Sequence, residues 1–114
     1  MAKSDHLKGA LELLVLKFLR RGANHGYAIA SAIEQTSDEV LRVEEGSLYP
    51  ALHRLENRRL LAASWKASET GRDAKFYRLT PAGRAQLEAG TASWKQLADA
   101  VRLILRAGEE GGRA

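Results

Sequence analysis

Glu45-Gly46-Ser47-Leu48-Tyr49-Pro50-Ala51-Leu52-His53-Arg54-Leu55-Glu56-Asn57-Arg58-Arg59-Leu60-Leu61 is the stretch on which the fold turns. Leu48, Leu52 and Leu55 recur at i, i+4 and i+7, the period of one helix face. At about 100° per residue, Ser47, Ala51, Arg54 and Arg58 gather into a second stripe, which this reading assigns to the opposite face. An apolar stripe seeks a core. A stripe of small residues and arginines suits a charged surface approached closely, because guanidinium forks match phosphates and guanine edges. The pattern predicts a helix that enters a nucleic-acid groove. Pro50 fixes where it begins, since proline lacks an amide hydrogen and clashes with the carbonyl four residues back, here that of Gly46. A start between Glu45 and Ser47 places Pro50 in or just beyond the first turn, at little cost.

Working outward, charge singles out the same region. Residues 1–45 carry 6 basic and 7 acidic side chains, residues 46–85 carry 8 and 3, and residues 86–114 carry 4 of each. The net +4 of the chain therefore resides in its middle third, the footprint of a localised polyanion-binding face. With 114 residues and no cysteine, the chain predicts one small domain without disulfides or thiolate metal sites. A chain this short gains from dimerisation. The polar N-terminus does not resemble a signal peptide, and Leu11 to Leu19 is too short to span a bilayer, so the expected compartment is cytoplasmic.

Upstream, residues 7–21 predict a first helix in which Leu7, Leu11, Leu14 and Phe18 form one stripe. Leu13 and Leu16 lie on another side, beside Gly9. A helix apolar on two faces needs two partners, its own core and a second subunit. Asn24-His25-Gly26 leads into a short second helix, about Tyr27 to Thr36, broken by Ser37-Asp38-Glu39.

Downstream, Leu61–Ala67 and Lys75–Leu79 read as two strands around a polar loop, a β-hairpin with a projecting basic tip. Tyr77 and Leu79 share one face of the second strand, Phe76 and Arg78 the other. Thr80-Pro81 is a helix start, with threonine as cap and proline pre-set for the first position. The last helix is expected to run from Pro81 to about Arg106, and Trp94, Leu97, Ala98, Val101, Ile104 and Leu105 give its second half a near-heptad stripe. The expected fold is mainly α with a small β-hairpin (α+β), a winged helix-turn-helix with a long C-terminal dimerisation helix. Residues 1–80 would form the DNA-binding part, residues 81–107 the dimerisation helix of the same compact unit, and residues 108–114 a flexible tail. In that arrangement the second helix crosses the phosphate backbone, the third enters the major groove, and the hairpin tip brings Arg72 and Lys75 to adjacent phosphates or a minor groove.

The segment Gly46-Ser47-Leu48-Tyr49-Pro50-Ala51-Leu52-His53-Arg54-Leu55-Glu56 resembles the recognition-helix signature of PadR-like transcriptional regulators. So do the hairpin residues Gly71-Arg72 and Lys75-Phe76-Tyr77-Arg78-Leu79-Thr80, followed by Gly83, and the helix entry Gly26-Tyr27-Ala28-Ile29. The resemblance spans about Leu7 to Leu105 and implies a homodimeric repressor on a palindromic operator, released by a small planar effector. It puts the chain among the short members, which have a single C-terminal helix. By position, Tyr27, Tyr49, Pro50, Ser47, Arg54, Arg58, Arg72 and Lys75 are the expected DNA-binding residues. The hairpin departs from the pattern where Asp73 and Ala74 stand in place of more basic residues. In some short members a tryptophan at the place of Trp94 lines a dimer-centre pocket that stacks planar ligands. Here His6, Gly9 and Leu13 from the first helix, with Trp94, Leu97 and Ala98, would form it.

Two other classes stand beside this reading. One is a winged-helix module that binds protein without sequence-specific DNA contact. The other is a small enzyme or ligand carrier at the dimer centre. The second is disfavoured because His6, His25 and His53 show no metal-ligand spacing and no Gly-rich phosphate loop joins a strand to a helix. Neither cofactor nor metal is expected.

Overall fold

The computed structural model of the chain describes residues 10–67 and 69–107. Its elements are α1 (Leu11–Leu19), β1 (Asn24–His25), α2 (Gly26–Thr36), α3 (Glu45–Asn57), β2 (Leu61–Ala67), β3 (Asp73–Leu79) and α4 (Pro81–Ala107). This is an α+β winged helix-turn-helix: the described residues form four helices and one antiparallel sheet in the order β1-β3-β2. The expected hairpin is therefore the larger part of a three-stranded sheet. The extra strand is short, pairing Asn24 with Tyr77 and His25 with Phe76.

The core is built from Leu11, Val15, Leu16 and Leu19 of α1, Ile29 and Ile33 of α2, Leu48, Leu52 and Leu55 of α3, and Leu61, Tyr77 and Leu87. The apolar stripe of α3 is buried as its period required. The stripe expected on α1 is corrected: Leu14 and Phe18 are only half-buried, and Val15, Leu16 and Leu19 are the inward residues. The physical reason is that α1 packs against α2, α3 and α4 at once, so its buried arc is centred between the two stripes. Leu7 lies outside the described residues.

Three local devices set the position of α3. Asp38 and Glu39 adopt φ of 51° and 63°, which ends α2. The Glu34 carboxylate then accepts from the Val43 amide at 2.8 Å, tying the connector back to α2. Finally α3 opens at Glu45, with the Ser47 and Leu48 amides bonding back to the Glu44 carbonyl. Pro50 sits inside the helix, one turn beyond Gly46, where the missing amide falls on an exposed side of the helix.

The long helix is fixed at its base. Thr80 Oγ1 accepts from the Gly83 amide at 3.0 Å and shares its one proton between the Arg59 carbonyl at 2.8 Å and the Leu60 carbonyl at 3.0 Å, so one hydroxyl caps α4 and fastens it to the turn after α3. Gly83 is buried against this turn so closely that a Cβ there would overlap the Leu60 carbonyl oxygen. From this anchor the 27 residues of α4 project about 40 Å, which accounts for the 61 Å long axis of a molecule only 29 by 21 Å across. Past Leu87, the apolar residues Trp94, Leu97, Val101, Leu103, Ile104 and Leu105 are all exposed.

Candidate nucleic-acid interface

The outward surface of α3 follows from its core stripe. With Leu48, Leu52 and Leu55 inward, Gly46, Pro50, His53 and Asn57 fall on the far side, and all four are exposed. The assignment of Ser47, Ala51, Arg54 and Arg58 to the opposite face is corrected. Ala51 is 0% exposed and belongs to the core, because at about 100° per residue it lies only about 65° from the centre of the leucine stripe. Ser47, Arg54 and Arg58 remain exposed, on the flank of the helix.

That flank faces α1. Arg54 Nε donates to Glu12 Oε2 at 2.8 Å, and Arg58 lies 3.5 Å from Glu12 Oε1. One carboxylate of α1 thus orients two arginines of α3, leaving both guanidinium groups more than half exposed. Such water-facing pairs contribute about 0–1 kcal/mol each, so their effect is on direction more than on stability.

On the other flank, α3 and the sheet form a concavity of about 900 Å³. Tyr27, Tyr49 and Lys75, three of the expected DNA-binding residues, line it together with His25, Trp65, Lys66 and Phe76. Tyr49 is held by a close approach, for a Cβ on Gly26 would lie 3.0 Å from its ring. Glycine at that position lets the tyrosine lie over the start of α2 while staying 45% exposed. His25 caps α2, its Nδ1 accepting from the Ala28 amide at 3.2 Å. Its ring meets Phe76 edge-on, which joins the helix start to β3. Lys75 donates to Glu56 Oε1 at 2.9 Å, tying the wing to α3. That hydrogen bond raises the lysine above its ordinary pKa of 10.5. Burial likewise raises Tyr77, directly beneath it, above 10.0.

The structure thus distributes the expected DNA-binding residues over four places. Tyr27, Tyr49 and Lys75 share the wing-side concavity. Arg54 and Arg58 meet at Glu12. Ser47 and Pro50 lie exposed at the opening of α3, and Arg72 is exposed on the turn between β2 and β3. Sequence reasoning gave no binding role to Trp65 and Lys66, although the alternation Leu61, Ala63, Trp65 held a signal for the first.

A second concavity, of about 290 Å³, lies between α1 and α4. Leu13, Trp94 and Leu97 line it with Glu12, Leu16, Arg58 and Gly90, so three of the expected pocket residues do meet. Ala98 is half-buried on α4 but does not line it. His6 and Gly9 lie outside the described residues. Among the described residues no group of three His, Asp or Glu side chains is placed to hold a metal ion.

Residues 15–89 match the model of the transcriptional regulator PadR-like family. The chain belongs to the PadR-like family of transcriptional regulators. It is 36% identical over 94 residues to the transcriptional regulator Rv3488 of Mycobacterium tuberculosis, an alignment covering 82% of this chain and 84% of that protein. Among solved structures, a PadR-like transcriptional regulator from Bacillus cereus matches with a TM-score of 0.76 and 32% identity, covering 90% of this chain and 97% of that one. A PadR family regulator from Eggerthella lenta matches with a TM-score of 0.75 and 34% identity, covering 89% and 86%. As a PadR regulator the chain is a DNA-binding protein, and the family and the solved structures it matches here are regulators of transcription, not enzymes. No helix among the described residues is long and apolar enough to cross a membrane.

Proposed function

We propose that the chain is a homodimeric repressor that binds a palindromic operator through two copies of α3 and is released by a planar effector held beside α4. The observation that carries the dimer is the row of exposed apolar residues on α4, Trp94, Leu97, Val101 and Ile104. A soluble chain rarely leaves so continuous a patch uncovered, and its near-heptad spacing suits a second helix. Closing a two-fold dimer on α4 repeats the α3 surface, which is why an inverted-repeat operator follows.

In this reading Gly46, Ser47 and Pro50 bring the opening of α3 close to base edges, and Arg54 and Arg58 reach bases or phosphates from its flank. Tyr27, Tyr49, Arg72 and Lys75 engage the adjoining backbone. The Leu13–Trp94 concavity is the effector site, because an indole 52% exposed at its wall offers a flat surface for stacking. It also touches Arg58 and Glu12, so an occupant there would bear directly on the ion pairs that orient the flank of α3.

Electrophoretic mobility shifts with a duplex selected in vitro test the DNA half of this reading. Affinity should fall with salt with a log–log slope of about −0.9 for each phosphate contact; a flat salt dependence contradicts it. Titration with a fused-ring aromatic such as acridine tests the pocket. Emission should be quenched in the wild type and much less in Trp94→Phe, and equal quenching removes Trp94 from the site.

A further inference from the structure

Trp65 has an exposure that the core does not explain. In β2 it follows Leu61 and Ala63 on one face, and those two pack into the core while Trp65 is 68% exposed. The strand therefore carries the indole past the edge of the core, on the face of the sheet turned toward α3. There it is paired across the strands with Lys75 and lines the same concavity as Tyr27 and Tyr49.

The basic tip expected of the hairpin is corrected: charge alone gives the wing little hold on a polyanion. Residues 69–75 contain two acids, Glu69 and Asp73, and two bases, Arg72 and Lys75. Lys75 is also engaged by Glu56. Yet residues 46–85 as a whole carry the excess of positive charge, and Lys66, 4.5 Å from the centre of the Phe76 ring, borders the same concavity. A hollow bordered by Lys66 and by three exposed aromatic rings, Tyr27, Tyr49 and Trp65, fits the sugar–phosphate edge of a duplex. Deoxyribose offers apolar area to a ring, and phosphate accepts from an indole N–H.

We propose that Trp65 is the wing's main DNA-contacting residue, packing its indole on the deoxyribose edge of the duplex and donating its N–H to a phosphate. This rests on the DNA-binding reading and adds an apolar contact where the wing tip is electrostatically neutral. In that complex one sugar–phosphate strand of the duplex lies along the hollow, with Tyr49 and Trp65 on its two sides.

The test uses the full chain and the duplex enriched by it from a random-sequence pool. Tryptophan emission of the wild type should change on adding the duplex, and Trp65→Phe should lose that change, since only Trp94 remains. Trp65→Ala should bind about tenfold more weakly, the loss expected for roughly 60 Å² of apolar contact. Its salt slope should stay that of the wild type, because apolar packing releases no counterions, whereas Lys66→Gln should make the slope shallower by about 0.9. The emission comparison decides the matter even where Trp65→Ala folds poorly. Unchanged emission of the wild type, or unchanged affinity of Trp65→Ala, overturns the role of Trp65 alone. A shallower slope for Trp65→Ala overturns its apolar character. A wild type that enriches no duplex overturns the DNA-binding reading and this contact with it.

Discussion

Gly83 and Thr80 show how much of the molecule depends on single atoms. A methyl group at residue 83 has nowhere to go, since the Leu60 carbonyl oxygen is backbone and the Leu79 Cδ1 lies only 2.8 Å from the position the Cβ would take. Gly83→Ala should therefore destabilise the fold by about 1–3 kcal/mol, read from urea midpoints, although alanine is the better helix former in the abstract. Thr80→Ala removes a cap and a bond to Leu60, and should cost about 1–2 kcal/mol by the same measurement. At Glu12 the expectation reverses. Its pairs with Arg54 and Arg58 are exposed enough that Glu12→Gln should change stability by less than about 1 kcal/mol. Arg54→Ala, in contrast, should weaken binding to the selected duplex by about 1–3 kcal/mol if it reads a base. Unaltered binding by the double variant Arg54→Ala, Arg58→Ala would remove the flank of α3 from the interface.

At the scale of elements, the sheet loses stability at alkaline pH. Lys75 is raised by its hydrogen bond to Glu56, and Tyr77 by burial, so the folded chain holds two protons that the unfolded chain releases earlier. The folded state binds more protons in that range, so stability falls as pH rises. The contribution is complete below pH 10.0 and 10.5, the ordinary values of the two groups, and is lost above them. Urea midpoints should be insensitive to these two groups near neutrality and drop beyond pH 10.0, with a smaller drop in Tyr77→Phe. The elements also differ in how legible they were. The leucine period gave α3 its core stripe and Pro50 its start, and Thr80-Pro81 gave the base of α4, because these signals are local. β1 carried no such signal: two residues cannot show a period, and Asn24 becomes a strand only by meeting Tyr77 from far along the chain. Ala51 was misplaced because a helix face is a sector, and a small residue at its edge is claimed by whatever packs there. The strand β3 begins at Asp73, ahead of the expected Lys75, since Lys66 and Ala67 supply partners that a polar loop composition conceals.

The whole molecule is a compact winged domain with a long lever. One end of α4 is locked to α3 through Thr80 and Gly83, and the other carries an uncovered apolar face. A second copy on that face would set the spacing between two α3 helices, and the rigid base of α4 would transmit it. Removal of the chain beyond Ala92 should accordingly leave a monomer by sedimentation with weak duplex binding; a stable dimer of that truncation would locate the interface elsewhere. The most direct test of the account is the architecture of the complex itself, measured by in vitro selection with the full chain followed by sedimentation on the enriched duplex. The account predicts two inverted half-sites with centres about one helical turn, 10–10.5 base pairs, or a multiple of it apart, occupied by two chains per duplex. A single unrepeated site occupied by one chain would contradict it.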